Sequence, residues 1–497
     1  MKITTLRSHH KWLGLCLSLF LLLFCVSGVL LNHREAIEGV NVGRGLLPKE
    51  YHYRNWNNGL LRGSVGLGEG EVLIYGSSGL WLKTAEGISD FNTGLPASSD
   101  RRGIRTALKT ESGMLLAVAS RDLYIYDENR SSWASAMSTN SEEMFTDMAM
   151  RGDTLHVLSR SYIYVSLPPY ERFERVDLPP PPGYKPRVSL FRTVWLLHGG
   201  GLWGMVGKLV VDAVAVVLVF LCITGLLYWF MPGFIRRLRK RNSGKDVLKK
   251  AGRSMQWFYK THKDAGRLTI ILTLVICFTG WCLRPPVLIA LATVKTAPLP
   301  GTVLSDDNPW HDKLRSLRYD HKAGEWLMYT SDGFFSMPDI SSVPTPLRDV
   351  PPVSVMGTNV LHQDTASGHW LVGSFSGMYV WDRASGAATD YFTGRPAEKK
   401  AGPPVGDNMI AGYSPHLGEA PLVADYNKGV SGLPMPDELR LLPMSLWHLS
   451  LEVHTGRIFT FLGMGVHLYI FVTGLAIMWC LWSGYAMTRR GKRRGIE

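Results

Sequence analysis

Residues 458–482, IFTFLGMGVHLYIFVTGLAIMWCLW, run for 25 positions without Asp, Glu, Lys or Arg. At about 1.5 Å of rise per residue, such a run is long enough to cross a hydrocarbon core of about 30 Å. Three more apolar runs begin near Trp12, His198 and His262. Four such segments define an integral membrane α-helical bundle and exclude a soluble enzyme, because only helices and closed barrels satisfy their backbone within lipid.

The runs repeat one another. HKWLG at 10–14 opens the first and HKDAG at 262–266 the third, and each His is followed 17 residues later by a hydroxyl-glycine pair, Ser27-Gly28 and Thr279-Gly280. The second and fourth runs open on His198 and His454 and close on Thr224-Gly225 and Ser483-Gly484, 26 and 29 residues on. The spacing predicts two tandem copies of a helix pair. The expected transmembrane helices are 12–32, 198–231, 262–285 and 447–487. Between and around them lie an N-terminus at 1–11, a basic loop at 232–261, a basic tail at 488–497, and two long regions, 33–197 and 286–446.

A net charge of +13 would suit nucleic acid, but the basic residues are placed by topology. Lys2, Arg7 and Lys11 precede run one, eleven Lys and Arg lie between Met231 and Gly266, and Arg489, Arg490, Lys492, Arg493 and Arg494 follow run four. By the positive-inside rule both termini and the middle loop are cytoplasmic, and the two long regions are exported. No nucleic-acid partner is expected. Run one resembles a signal peptide, yet it has 20 apolar residues and no clean small-x-small cleavage site, so it is read as a retained helix. All six cysteines fall in the apolar runs and none in the exported regions, which leaves those regions without a disulfide framework.

The exported regions carry a second repeat. VLIYGSSGLWL (72–82), LLAVASRDLYIYD (115–127) and TLHVLSRSYIYV (154–165) each read as strand, polar turn, strand, about 40 residues apart. WLMYTSDGFFSM (326–337) and WLVGSFSGMYVWD (370–382) continue the series, with 421–430 as a degenerate sixth. That period is the blade period of β-propellers, and neither region alone supplies enough blades to close a ring. The expectation is one extracytoplasmic all-β domain, a propeller built from both exported regions.

The chemistry-bearing residues follow from the His repeat. A haem b held between helices needs two facing neutral imidazoles, each with its second nitrogen hydrogen-bonded, and space for a flat macrocycle. His10 and His262 begin at matched depth on one side, His198 and His454 on the other, so each pair is a candidate set of axial ligands to a haem iron. Gly14 and Gly266, one turn after His10 and His262, are expected to leave space for the porphyrin. Arg7 and Arg457 stand three residues from His10 and His454, suitably placed for propionates. His467 lies 13 residues beyond His454, about 20 Å along a helix, a separation for a second stacked haem, but no other run offers a His at that depth. Asp212, well inside run two, can orient an imidazole, relay a proton or pair with Lys208. GGGLWG at 199–204 satisfies G-x-G-x-x-G but follows no strand, and Gly207-Lys208 lacks the rest of a P-loop. Without a nucleotide or flavin motif, electrons must come from a cytoplasmic partner or from quinol.

Through HKWLG at 10–14, LHGGGLWG at 197–204, HKDAG at 262–266 and EVHTGR at 452–457, the chain resembles the PepSY-associated transmembrane family, which includes inner-membrane dihaem reductases acting on ferric siderophores. The resemblance implies two b-type haems and outward electron transfer to a ferric chelate. The blade-like regions depart from the PepSY-type α/β modules that many members carry. A haem-free, membrane-anchored propeller that binds or senses a ligand is the alternative, and an ion transporter using Asp212 and His467 a third.

Overall fold

The computed structural model describes residues 2–140, 142–398, 406–463 and 465–493. They form two compact units, one of 1–37, 186–306 and 446–497 and the other of 38–185 and 307–445.

The first unit is helical. Its principal elements are α1 (Ile3–Asn32), α2 (Leu190–Gly199), α3 (Gly204–Lys240), α4 (Lys245–Cys282), α5 (Leu446–His454) and α6 (Gly465–Arg493). Of these, α1, α3, α4 and α6 are long and apolar enough to cross a membrane. α1 packs on α3 and α6, and α4 packs on the same two, so the two HK-bearing helices stand diagonally across a four-helix ring. Cys25, Val214, Leu218 and Leu221 are buried at its centre, with Ala265, Ile276 and Leu481 against them. Leu19, Val216, Leu268 and Ile271 lie exposed on the outside, as a lipid-facing surface requires.

Two features differ from the sequence expectation. The interval 232–261 is mostly helix: α3 continues through Pro232 to Lys240, and α4 starts at Lys245. Arg237, Arg239 and Lys240 occupy the last turn of α3, where cations complement the carbonyl end of the helix dipole. Runs two and four are also not continuous helices. Each is a short helix ending at or just after its His, then a break, then a spanning helix. Gly200 (φ +78°) and Gly456 (φ +73°) make the breaks, in backbone that glycine enters without steric cost. A Cβ on Gly200 would meet the Gly207 carbonyl oxygen at 2.3 Å, so part of the glycine-rich 199–204 stretch serves this tight crossing.

The second unit is built mainly of antiparallel β-sheet, with short helical turns at 44–51 and 437–441. Five four-stranded sheets occupy 63–90, 104–138, 145–176, 314–346 and 358–390, and a two-stranded sheet 410–425. Each four-stranded sheet is a meander of consecutive strands, and the hairpins expected near 72–82, 115–127, 154–165, 326–337 and 370–382 are its second and third strands. The first strands of sheets two to six share a register shift one residue from their start, at Ile104/Thr106, Phe145/Asp147, Leu314/Ser316, Thr358/Val360 and Ile410/Gly412. A bulge there bends and twists each strand alike.

Consecutive sheets meet through their first strands, and the sixth meets the first. Polar bonds run along the same cycle. Arg62 Nη1 donates to Ile104 O (2.8 Å), Thr106 Oγ1 to Asp147 Oδ1 (2.6 Å) and Arg318 Nη1 to Asp147 Oδ2 (2.5 Å). Arg318 Nε then donates to Leu361 O (3.1 Å), Asn359 Nδ2 to Ile410 O (2.8 Å) and Tyr413 N to Arg62 O (3.1 Å). Apolar clusters fill the intervals: Leu73, Ala117 and Trp133 between sheets one and two, Trp310 and Trp326 between three and four, Trp56, Trp81 and Ala424 between six and one.

Candidate functional site

The four repeat histidines come together as two pairs. The ring centroids of His10 and His262 are 5.9 Å apart, and so are those of His198 and His454. Along α1 the His10 pair and the Gly28 seat of the other pair are 18 residues apart, about 27 Å of helix, so the pairs lie at opposite ends of the bundle.

Each imidazole sits at the hydroxyl-glycine pair of a neighbouring helix, three of them with Nδ1 on the hydroxyl and His10 with Nδ1 on the Cys480 carbonyl alone. His454 Nδ1 meets Phe24 O at 2.9 Å and Ser27 Oγ at 3.2 Å. His198 Nδ1 meets Ile276 O at 3.1 Å and Thr279 Oγ1 at 3.2 Å. His10 Nδ1 meets Cys480 O at 2.9 Å, and His262 Nδ1 meets Thr224 Oγ1 at 3.1 Å. A carbonyl only accepts, so Nδ1 carries the hydrogen in His10, His198 and His454. The Thr224 hydroxyl donates to Phe220 O at 2.7 Å, which leaves its oxygen to accept from His262 Nδ1–H. The Ser27 and Thr279 hydroxyls are also turned back on their own helices, toward Leu23 O (2.6 Å) and Val275 O (2.8 Å).

The glycine of each pair makes the space. An added Cβ would stand 3.1 Å from His454 Cε1 at Gly28, 3.1 Å from His262 Cε1 at Gly225, 2.8 Å from His198 Cε1 at Gly280 and 2.8 Å from His10 Cε1 at Gly484. Run one thus seats the His of run four and the reverse; runs two and three exchange theirs likewise. In all four rings Nδ1 is engaged and Nε2 keeps its lone pair, the arrangement in which imidazole is a good metal ligand.

The other sequence candidates are placed differently. Gly14 and Gly266 face Cys480 Sγ (3.7 Å) and Leu221 Cδ2 (3.6 Å) at ordinary contact distance; they pack helix on helix and do not open a porphyrin space. Arg457 is committed to the buried Glu452, with Nη2–Oε1 at 2.5 Å and Nε–Oε2 at 3.1 Å. Arg7 and His467 are exposed. Asp212 does not pair with Lys208: it accepts from Asn32 Nδ2 (3.0 Å) and meets His33 Nε2 (2.8 Å) at the end of α1. Sequence reasoning marked the hydroxyl-glycine pairs as signs of a repeat and missed that they are the imidazole seats. It also passed over Arg284, whose Nη2 donates to His454 O at 3.2 Å, and Trp281, whose buried Nε1 has no acceptor among the described residues. No cluster of three or more His, Cys, Asp or Glu among those residues could hold a bare metal ion.

The fold and site define a class: a four-helix membrane protein with two opposed imidazole pairs in its bundle and an all-β second unit. The chain belongs to the family described as the PepSY-associated TM region, whose model matches residues 7–490. No curated protein matches it. Among solved structures it is similar to the extracellular domain of a hybrid two-component system from B. thetaiotaomicron, at 10% identity and TM-score 0.34, over 78% of this chain and 32% of that one. It is also similar to PorZ, a surface component of the type-IX secretion system of Porphyromonas gingivalis, at 10% identity and TM-score 0.32, over 72% of this chain and 36% of that one. The chain therefore spans about a third of the length of either structure, and at such scores neither defines the fold.

Proposed function

We propose that this is a b-type haem protein of a bacterial inner membrane that moves electrons outward to an extracytoplasmic ferric chelate of the siderophore type. One observation carries the reading: two opposed imidazole pairs, every Nδ1 bonded and every Nε2 open. In both pairs the ring centroids stand 5.9 Å apart, a separation at which one metal ion would be within reach of a nitrogen from each ring. Two axial ligands suffice only where a macrocycle supplies the remaining positions, so the residues fit haem better than a bare ion.

In this reading His10 with His262 and His198 with His454 would hold one haem each, and such a group would supply one-electron chemistry at each end of the bundle. The chain's own contribution is positional. Ser27, Thr224, Thr279 and the carbonyls of Phe24, Ile276 and Cys480 fix the tautomer and the ring plane, while the four seat glycines let each ring sit against a helix backbone. The basic residues at 232–265 and after 488 support cytoplasmic termini, and an electron donor, either a cytoplasmic carrier or quinol, would serve the His10 pair. The second unit is read as a six-bladed propeller that receives the chelate. The cyclic succession of first-strand contacts, polar bonds and apolar clusters supports this.

The test is the optical spectrum of the purified full-length protein. A b-type spectrum that sharpens on dithionite, with two haems per chain by pyridine haemochrome, is the expected result. A protein that stays colourless after expression with haem precursor would leave the anchored, haem-free propeller as the reading.

A further inference from the structure

We infer that Arg284, not Arg457, is the cation that faces the haem at the His198–His454 pair and holds one of its carboxylate edges; the inference rests on the haem reading above. The two arginines stand near the same His but differ in what they have left to offer. Nε and Nη2 of Arg457 are both taken by Glu452, whose side chain is buried and whose charge cancels that of the guanidinium. Arg284 follows the end of α4, two residues beyond Cys282. Among the described residues it has no carboxylate partner, and its bond is a single donation from Nη2 to the carbonyl oxygen of His454.

A half-buried guanidinium in an apolar bundle is costly unless an anion answers it. One neutral carbonyl does not do so. Arg284 is bonded to the backbone carbonyl of His454 and lies four residues, about one helical turn, beyond Gly280, the seat of His198, so it stands at this pair and not at the other. The planar fork of arginine suits a carboxylate bidentately, and a b-type haem carries two propionates. Among the described residues no arginine stands in the corresponding place at the His10 pair: the positions four residues after its seats, Gly225 and Gly484, are Trp229 and Thr488. The two haems therefore differ in their electrostatic surroundings although their axial ligands are the same. A fixed positive charge favours the reduced, less positive iron, so Arg284 raises the electron affinity of the haem at the His198 pair.

Potentiometric titration of the holoprotein tests this, using Arg284→Gln and Arg284→Lys, with His198→Ala and His10→Ala to assign each wave. In Arg284→Gln the reduced-to-oxidised ratio of the His198-pair haem at fixed potential should fall about tenfold, equivalent to about 59 mV for a one-electron couple. The other wave should stay in place, and Arg284→Lys should remain near wild type. If Arg284→Gln loses that haem, Arg284→Lys decides: retention with a near-wild-type wave supports the assignment, and loss there too overturns it. An unshifted wave in Arg284→Gln, with both haems retained, also overturns it and leaves the haem reading standing. Absence of haem from the wild-type protein would instead end the reading beneath it.

Discussion

His10 rests on Gly484: a Cβ at 484 would stand 2.8 Å from the Cε1 of the ring and 3.1 Å from its Nδ1. Contacts that short are not made by real side chains without something moving, and what must move is a candidate ligand. Gly484→Ala and Gly280→Ala should therefore each remove or loosen the haem of one pair, lowering haem per chain by up to half. Gly14→Ala and Gly266→Ala, with 3.7 and 3.6 Å available, should leave the pigment intact. Pyridine haemochrome on the four variants measures this directly.

Removing the partner of Nδ1 without changing shape is a gentler test. Thr224→Val deletes the hydroxyl acceptor of His262 while keeping the side-chain volume and leaving the Leu221 carbonyl as its backbone partner. Outer partners of ligating imidazoles are worth about 10–100-fold in affinity, so haem should dissociate to apomyoglobin faster by a factor in that range. Ser483→Ala should have a smaller effect, since His10 Nδ1 is bonded to the Cys480 carbonyl.

The tandem repeat made the His10–His262 and His198–His454 pairing legible, because residues at equal distance from equal helix ends meet at equal depth. What the repeat could not disclose is which helix seats which ring, since that depends on the diagonal placement of α1 and α4. The breaks at Gly200 and Gly456 were hidden for a related reason. Hydropathy sees a continuous apolar run, whereas a turn of backbone with φ > 0 alters no side-chain polarity. Arg457 looked like a propionate ligand because its spacing from His454 is visible in sequence, but Glu452, which neutralises it, is set by the fold of the turn after α5. In the β unit the period of about 40 residues located five four-stranded sheets. It said nothing of Asp147, whose partners Thr106 and Arg318 lie 41 and 171 residues away.

Asp147 also predicts how the β unit fails. Its carboxylate accepts from Thr106, from the backbone N of Leu317 and from Arg318, tying sheets two, three and four and one of the two seams between the chain segments. Asp147→Ala leaves the half-buried Arg318 with backbone carbonyls but no carboxylate, at a cost of about 3–5 kcal/mol, and should lower the melting temperature of the full-length protein markedly. For the same reason residues 40–190 expressed alone should lack a sharp, cooperative transition.

The β unit should also lose stability in mild acid. Burial pushes His156, whose ring lies 4.4 Å from that of Trp326, down to about 4. The folded state keeps this imidazole neutral, while the unfolded chain protonates near the ordinary value of 6.5. Stability is therefore fully present above about pH 6.5, declines as the pH falls toward 4, and levels off below that, a change of about 3 kcal/mol for one such group. His156→Gln should flatten the pH dependence of the denaturation midpoint over that window. An unchanged slope would place the effect elsewhere.

The central claim is that four imidazoles hold two haems in register with the repeat, and haem quantitation on single alanine variants tests it most directly. Wild type should carry two haems per chain. His10→Ala, His262→Ala, His198→Ala and His454→Ala should each carry one, with the first two losing the same spectral component and the last two the other, while exposed His467→Ala keeps both. A colourless wild-type protein, or full retention in His198→Ala together with loss in His467→Ala, would contradict the account.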